Sequence, residues 1–407
     1  MERNTMSYQQ NGASRRHNAG AKRPYHKRNS RANVKSTINP SKFINKAIKP
    51  AEQEEYVASH AFSDFGLNAK TTATLAHLGF TTPTPIQDQC IQLALEGKDV
   101  IGLANTGTGK TAAFVLPVLE KTNANRQVVS TLILAPTREL AQQIDADLRR
   151  FAAGQRIYST LVVGGANINQ QIRQIQRGPH VVIGTPGRVK DLIQRRVLRL
   201  SQVTTFVLDE ADRMCDMGFV GDIKSIEAEM PKQRQTLCFS ATMTPSVQKI
   251  VEEFMFEPET VTVVKNATND HIEQDIIEAR DKAHKIDLLE ELLINEPYDK
   301  VIIFGETKFG VQRLADKLTS NDLTAVAIHG NKSQSQREKA LRTFKNGDVR
   351  ILVATDVAAR GLDIPNVSHV INFDAPKQYD DYVHRIGRTG RAGHTGRALT
   401  FIEKPAR

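Results

Sequence analysis

The sequence predicts an α/β fold built from two parallel sheets in tandem, preceded by a basic arm. Two observations carry that expectation. Short apolar runs, each followed by a helical stretch, recur in two series separated by a polar gap, and the surplus positive charge is confined to the first fifty residues. A chain of 407 residues also exceeds what one ordinary core accommodates, so two domains are the natural division.

The first series consists of runs at residues 100–103, 132–134, 161–163, 181–183, 206–208 and 237–239. They are apolar without alternation, as strands covered by helices on both faces are. The stretch Lys265-Asn266-Ala267-Thr268-Asn269-Asp270 is polar and unpatterned, and a second series follows at 301–304, 325–328, 351–353, 370–373 and 398–402. The expected boundaries are 1–58 for the arm, 59–264 for the first domain, 265–273 for the linker and 274–407 for the second domain. Two such sheets leave a cleft in which ligands gather at the carboxyl ends of strands.

Residues 1–50 hold twelve of the 55 Lys and Arg residues and one of the 45 acidic ones, so the net charge of +10 belongs to the arm; the other 43 basic and 44 acidic residues nearly cancel. Rich in Asn, Arg, Lys and Ser, the arm has too little apolar surface to offset its ordering entropy and is expected to be disordered. A polyphosphate is its natural partner. Almost no Leu, Ile, Val or Phe occurs in residues 1–33, which argues against an amphipathic presequence, and no secretory core or bilayer-length apolar run is present. Cys90, Cys215 and Cys238 are far apart and odd in number, which argues against a disulfide framework or a zinc site and for a reducing, cytoplasmic setting.

Chemistry enters where the run at 100–103 meets Ala104-Asn105-Thr106-Gly107-Thr108-Gly109-Lys110-Thr111, with an apolar helix behind it. Strand, glycine loop and helix form a phosphate loop, with Ala104 in place of its first glycine. The backbone of Thr106, Gly107, Thr108 and Gly109 can converge on phosphate oxygens, Lys110 can reach the β and γ phosphates, and the Thr111 hydroxyl suits Mg²⁺. The run at 206–208 ends in Asp209-Glu210-Ala211-Asp212, which sets carboxylates at the end of a buried strand. Asp209 is the natural Mg²⁺ partner through water, and Glu210 the candidate general base for an attacking water.

That acidic quartet is the signature of the DEAD-box helicases, and from residue 62 to residue 402 the chain resembles this family, most of all its bacterial RhlE-type subgroup. The resemblance implies two RecA-like domains, ATP and Mg²⁺ as cofactors, and single-stranded and duplex RNA as partner with little sequence preference. Gly79-Phe80-Thr81-Thr82-Pro83-Thr84-Pro85-Ile86-Gln87 resembles the family's adenine-reading motif, in which Phe62 would stack on the base and Gln87 bond its edge. Pro136-Thr137-Arg138-Glu139-Leu140, Gly164-Gly165 and Thr185-Pro186-Gly187-Arg188 resemble motifs that grip RNA phosphates and sugars, which implies that role for Thr137, Arg138, Gly165, Thr185 and Arg188; the same threonines would also serve as ordinary helix caps.

Ser240-Ala241-Thr242 is similar to the motif that couples nucleotide to RNA separation; Asp212 and His384 belong to the same group. In the second half, Arg337 and Thr355 resemble residues near RNA and Asp363 the residue on the ATP ribose. In His384-Arg385-Ile386-Gly387-Arg388-Thr389-Gly390-Arg391, the resemblance makes Arg388 and Arg391 arginine fingers that complete the site on closure.

The function this implies is an ATP-dependent RNA helicase that hydrolyses ATP on binding RNA and locally unwinds duplexes or remodels RNA–protein complexes. It would be a cytoplasmic monomer away from membranes, with ribosome-assembly or RNA-decay proteins as fitting partners. Two alternatives stand beside it: an RNA clamp gated by ATP, and a DNA translocase. Relatives usually continue into a further helix beyond the point where this sequence stops, at Arg407, so one face of the second sheet is expected to be thinly covered.

Overall fold

In the computed structural model of the protein, the described residues are 38–46, 56–105, 107–263, 271–359, 364, 366–390 and 395–403. The first half contains β1 (Val100–Ala104), β2 (Thr131–Leu134), β3 (Ser159–Val162), β4 (Val181–Gly184), β5 (Thr205–Asp209), β6 (Gln235–Ser240) and β7 (Glu259–Val263). All pair in parallel, in the order β3-β4-β2-β5-β6-β1-β7. The second half contains β8 (Ile272–Ala279), β9 (Val301–Phe304), β10 (Ala325–Ile328), β11 (Ile351–Ala354), β12 (His369–Asn372) and β13 (Gly396–Glu403), again parallel, in the order β10-β11-β9-β12-β13-β8.

Central strands are buried along their whole length, as in Thr205–Asp209 and Gln235–Ser240, because helices cover both sheet faces. Removing each large apolar side chain from water contributes about 1.5–3 kcal/mol, so these strands are rigid supports for whatever their carboxyl ends carry.

Strand order sorts those ends. At one side of the first sheet, β3, β4 and β2 lead into Gly164-Gly165, Thr185 and Thr137; toward the other, β5, β6 and β1 lead into the acidic quartet, Ser240-Ala241-Thr242 and the glycine loop. Because β6 lies between β5 and β1, the coupling residues stand between the acidic strand end and the loop that faces it.

Every apolar run read as a strand is one. The two omitted, β7 and β8, sit at sheet edges, where one flank is unpaired and residues alternate between exposed and covered, as in Glu-Thr-Val-Thr-Val. Neither carries the continuous apolar run that marks the other two edge strands, β3 and β10. Of the linker, 265–270 lies outside the described residues and 272–273 already belongs to β8.

The arm, expected to be featureless to residue 58, requires a correction. Residues 1–37 and 47–55 lie outside the described residues, but Pro40–Phe43 forms a 3₁₀ turn whose Phe43 is buried with Ile272, Tyr382, Ile386 and Ala398, and the Tyr56 hydroxyl donates to Asp88. Averaged over the arm, composition conceals this short segment with one large apolar side chain.

Candidate active site

Gly109 caps the N-terminus of the helix Lys110–Lys121 with φ of 91°, in the left-handed region that glycine adopts without strain. A Cβ there would lie 2.4 Å from Gln87 Nε2. That close approach is functional in the fold: Gln87 Nε2 donates to the Gly109 carbonyl at 3.0 Å, its Oε1 accepts from Thr84 N at 3.0 Å, and the Thr84 hydroxyl donates to the Thr108 carbonyl at 2.8 Å. Gln87 therefore ties its own helix start to the glycine loop. Thr106 lies outside the described residues.

A cavity of about 480 Å³ opens at this loop, lined by Phe80, Gln87, Gly107, Gly109, Lys110, Thr111, Asp209 and Glu210 and reaching Lys345 from the second half. Its aromatic lining is Phe80 and Phe151. Phe62, assigned by resemblance to stack on adenine, is buried behind Phe80, edge-on at 6.1 Å, while Phe151 meets Phe80 edge-on at 5.4 Å. Phe80 was legible only as part of a motif; that its ring, held between two others, faces the cavity is a tertiary fact.

At the acidic strand end, Asp209 completes β5 and the chain turns sharply: Glu210 has φ 54° and ψ 52°, a left-handed conformation that costs a non-glycine residue on the order of 1 kcal/mol or more. The turn is held by its own side chains. Glu210 N donates to Asp209 Oδ1 at 3.0 Å, and Arg213, three residues on, donates to Glu210 Oε2 at 2.8 Å with both partners buried. Arg213 escaped the sequence reading, although its i,i+3 spacing from Glu210 was the available signal. Burial pushes the Asp209 carboxyl well above the ordinary carboxylate range; the Lys110 ammonium works against that and Glu210 adds to it. Lys110 itself donates to the Ala104 carbonyl at 2.7 Å.

Asp212 is the hub of the next layer. Its Oδ2 accepts from Ala241 N, Thr242 N and the Thr242 hydroxyl at 3.0–3.1 Å, while its own N–H donates to Ser240 Oγ at 3.2 Å. Burial alone would raise its carboxyl, but Lys110, Arg213 and, from the second half, His384 together hold it below the ordinary value. The coupling motif and the acidic strand end are thus one hydrogen-bonded unit, with His384 in electrostatic reach.

The third cluster joins the loops after β2, β3 and β4. Arg138 lies on the Gly164-Gly165 turn so closely that a Cβ at Gly165, φ 76°, would stand 2.0 Å from its guanidinium. Burial lowers the Arg138 pKa, and repulsion from Arg337 and Arg188 lowers it further, so three guanidinium groups share this face. Arg188 donates to the Ala166 carbonyl at 3.3 Å. Thr137 caps its helix through Leu140 N at 3.2 Å, whereas Thr185 makes no side-chain capping bond. Arg337 reaches across from the second half to pair with buried Glu139 at 2.8 Å. Thr355 begins the short helix Asp356–Ala359, its N–H donating to Ile328 O at 3.3 Å.

Across the cleft, the helix Tyr379–Ile386 leads to Arg388, which is buried. Its neighbour Arg385 is a structural staple: it meets both Asp356 carboxylate oxygens at 2.6 and 2.7 Å, Asn372 Oδ1 at 3.1 Å and the Asp374 carbonyl at 2.7 Å. Arg391 and Asp363 lie outside the described residues.

Comparison with known proteins now decides what this arrangement is. Residues 84–250 match the DEAD/DEAH box helicase family and residues 284–393 the helicase conserved C-terminal domain. The DEAD-box ATP-dependent RNA helicase CshA of Geobacillus kaustophilus is 49% identical over 342 residues, covering 84% of this chain and 73% of that protein. The chain belongs to the DEAD-box ATP-dependent RNA helicases. The Bacillus subtilis protein of the same name is 48% identical over 84% of this chain and 69% of its own length. Among solved structures, S. cerevisiae Dbp5 bound to RNA and ADP BeF3 superposes with a TM-score of 0.77 at 32% identity, covering 84% of this chain and 90% of that one.

As a DEAD-box helicase the chain is an enzyme that hydrolyses ATP in the service of RNA, on two RecA-like parallel sheets. The finer RhlE-type assignment is not supported: these relatives carry the name CshA instead. No helix among the described residues is long and apolar enough to cross a membrane.

Proposed function

We propose that ATP and single-stranded RNA jointly close the cleft between the two sheets, and that closure assembles Lys110, Thr111, Asp209, Glu210, Arg388 and Arg391 around the triphosphate. The observation that carries this reading is the position of Asp212, which is bonded to Ser240-Ala241-Thr242 on one side and lies in the field of both Lys110 and His384 on the other. A change at the phosphates is felt there by the second half without any long relay.

In this reading Lys110 leaves its resting bond to Ala104 for phosphate oxygens, and Glu210, oriented by Arg213, accepts the proton of an attacking water. Phe80 is the ring available to the base, Phe62 backs it, and Asp363 takes the ribose. Thr111 and Asp209 fit Mg²⁺: they line one cavity, and a buried carboxyl pushed upward by its surroundings is relieved by a cation. Bound there, Mg²⁺ would neutralise charge on the β and γ phosphates.

RNA lies across the face shared by Arg138, Arg188 and Arg337, with Thr137, Gly165, Thr185 and Thr355 contributing hydroxyls and N–H groups. Such groups hold backbone rather than base edges, so sequence preference is low and strand separation local. The basic arm adds sequence-independent affinity. The protein acts as a cytoplasmic monomer, with ribosome-assembly or RNA-decay proteins as the partner classes that fit. ATPase turnover of the full chain with and without saturating single-stranded RNA tests the reading: strong stimulation is expected, and equal rates would overturn it.

A further inference from the structure

The segment before residue 47 meets the second half at the helix that carries the proposed finger. Asn39 caps the turn Pro40–Phe43 by accepting from Ser41 N at 3.1 Å. Phe43, 1% exposed, packs against Tyr382 with ring centroids 4.7 Å apart, and Ile272, Ile386 and Ala398 complete its pocket. Asn45 and Gln274 exchange two backbone hydrogen bonds of 2.9 and 2.8 Å, and the Tyr382 hydroxyl donates to Gln274 Oε1 at 2.9 Å. Lys42 stands over the Tyr379 ring at 5.3 Å.

These contacts have a direction. Tyr379, Tyr382 and Ile386 lie on the helix Tyr379–Ile386, and Arg388 follows it with its N–H bonded to Arg385 O at 3.2 Å. Arg385 ties the helix inward to Asp356, Asn372 and Asp374, so Phe43 presses from one side on an element stapled from another. Ten residues beyond Lys46, the chain is fixed again in the first half: the Tyr56 hydroxyl and Ser59 N donate to Asp88 Oδ2 at 2.5 and 2.7 Å, and His60 N and Nδ1 meet Oδ1 at 3.1 and 2.7 Å. Asp88 is the residue after Gln87. The chain is therefore anchored at the finger helix and again beside the nucleotide loop, and the nine residues between Lys46 and Tyr56 span at most about 35 Å.

We propose that residues 38–46 are an intramolecular brace in which Phe43 is a positioning residue for Arg388. The proposal rests on the role given to Arg388 above. A brace of this kind sets how fast the closed site turns over without altering how the first half binds nucleotide.

Steady-state kinetics on the full chain test it. Phe43→Ala is expected to lower RNA-stimulated kcat on the order of tenfold, since small displacements of a catalytic group cost that much, while KM for ATP and one-to-one nucleotide binding stay as in the parent. Phe43→Leu should restore most of the rate. Asn45→Cys with Gln274→Cys should cross-link within the chain on mild oxidation. An unchanged kcat in Phe43→Ala, a fall matched by lost nucleotide binding, or failure of the pair to cross-link would each overturn the brace. If the unmutated chain lacks RNA stimulation, the functional reading itself fails and the brace with it, an outcome separable because it needs no variant.

Discussion

The two walls of the cleft hold their charged residues in different ways. On the acidic wall the two residues proposed to act are held locally: Arg213 holds Glu210 from one turn away and Asp209 accepts from the next residue's N–H, while Asp212 alone reaches out to Ser240-Ala241-Thr242. On the basic wall the supports come from far along the chain, because Arg385 relies on Asp356 and Asn372 and the helix beneath it on Phe43. A strand end followed by a tight turn can be made rigid by its own sequence, whereas a helix laid over the edge of a sheet needs partners. In both walls a charged residue that supports sits within three positions of one proposed to act.

The sharpest way to break this division is at the acting residues. Glu210→Gln should reduce turnover by about 10²–10⁴-fold while ATP and RNA binding survive, as measured by steady-state ATPase and equilibrium binding. On the other wall, Arg388→Ala should cost on the order of 10³ in kcat. Arg385→Ala should do the reverse first, removing about 3–5 kcal/mol of stability by leaving Asp356 without its partner, seen as a lower denaturation midpoint. An unchanged kcat in Arg388→Ala would erase the distinction between support and actor.

Away from the walls, Gly165→Ala sharpens the comparison on the RNA face. The left-handed φ and the 2.0 Å approach to Arg138 make the methyl group displace the guanidinium, so RNA affinity should fall about tenfold with ATP binding intact. The smallest effect belongs to Asp88. Burial acts to raise its carboxyl, but bonds from Tyr56, Ser59 and His60 prevail and lower it. A carboxyl lowered in the folded state contributes stability above the unfolded value of about 3.9 and loses it as pH falls through the folded one. Tm curves of the parent and Asp88→Asn should therefore lie slightly apart at neutral pH and converge in acid.

Much of this was legible in the residues. Continuous apolar runs identify central strands because both faces of a parallel sheet are covered, and the glycine loop announces itself because strand, Gly107, Gly109 and Lys110 must occur in that order. Edge strands β7 and β8 were not legible, since half their surface obeys no apolar rule. Nor could spacing reveal that Gln87 would be occupied by Gly109, that Phe80 rather than Phe62 would face the cavity, or that Arg337 would pair with Glu139. Those facts depend on which side chains meet after the sheets form, and motifs specify residue types without their partners.

The pairing of Asn45 with Gln274 also bears on the open border of the second sheet. β8 is the last strand of its sheet, and its outer rim of amides and carbonyls is a template on which another extended chain could align. Asn45 occupies one position on that rim and blunts it from within. Shortened forms that begin after residue 46 would leave that position of the border uncovered.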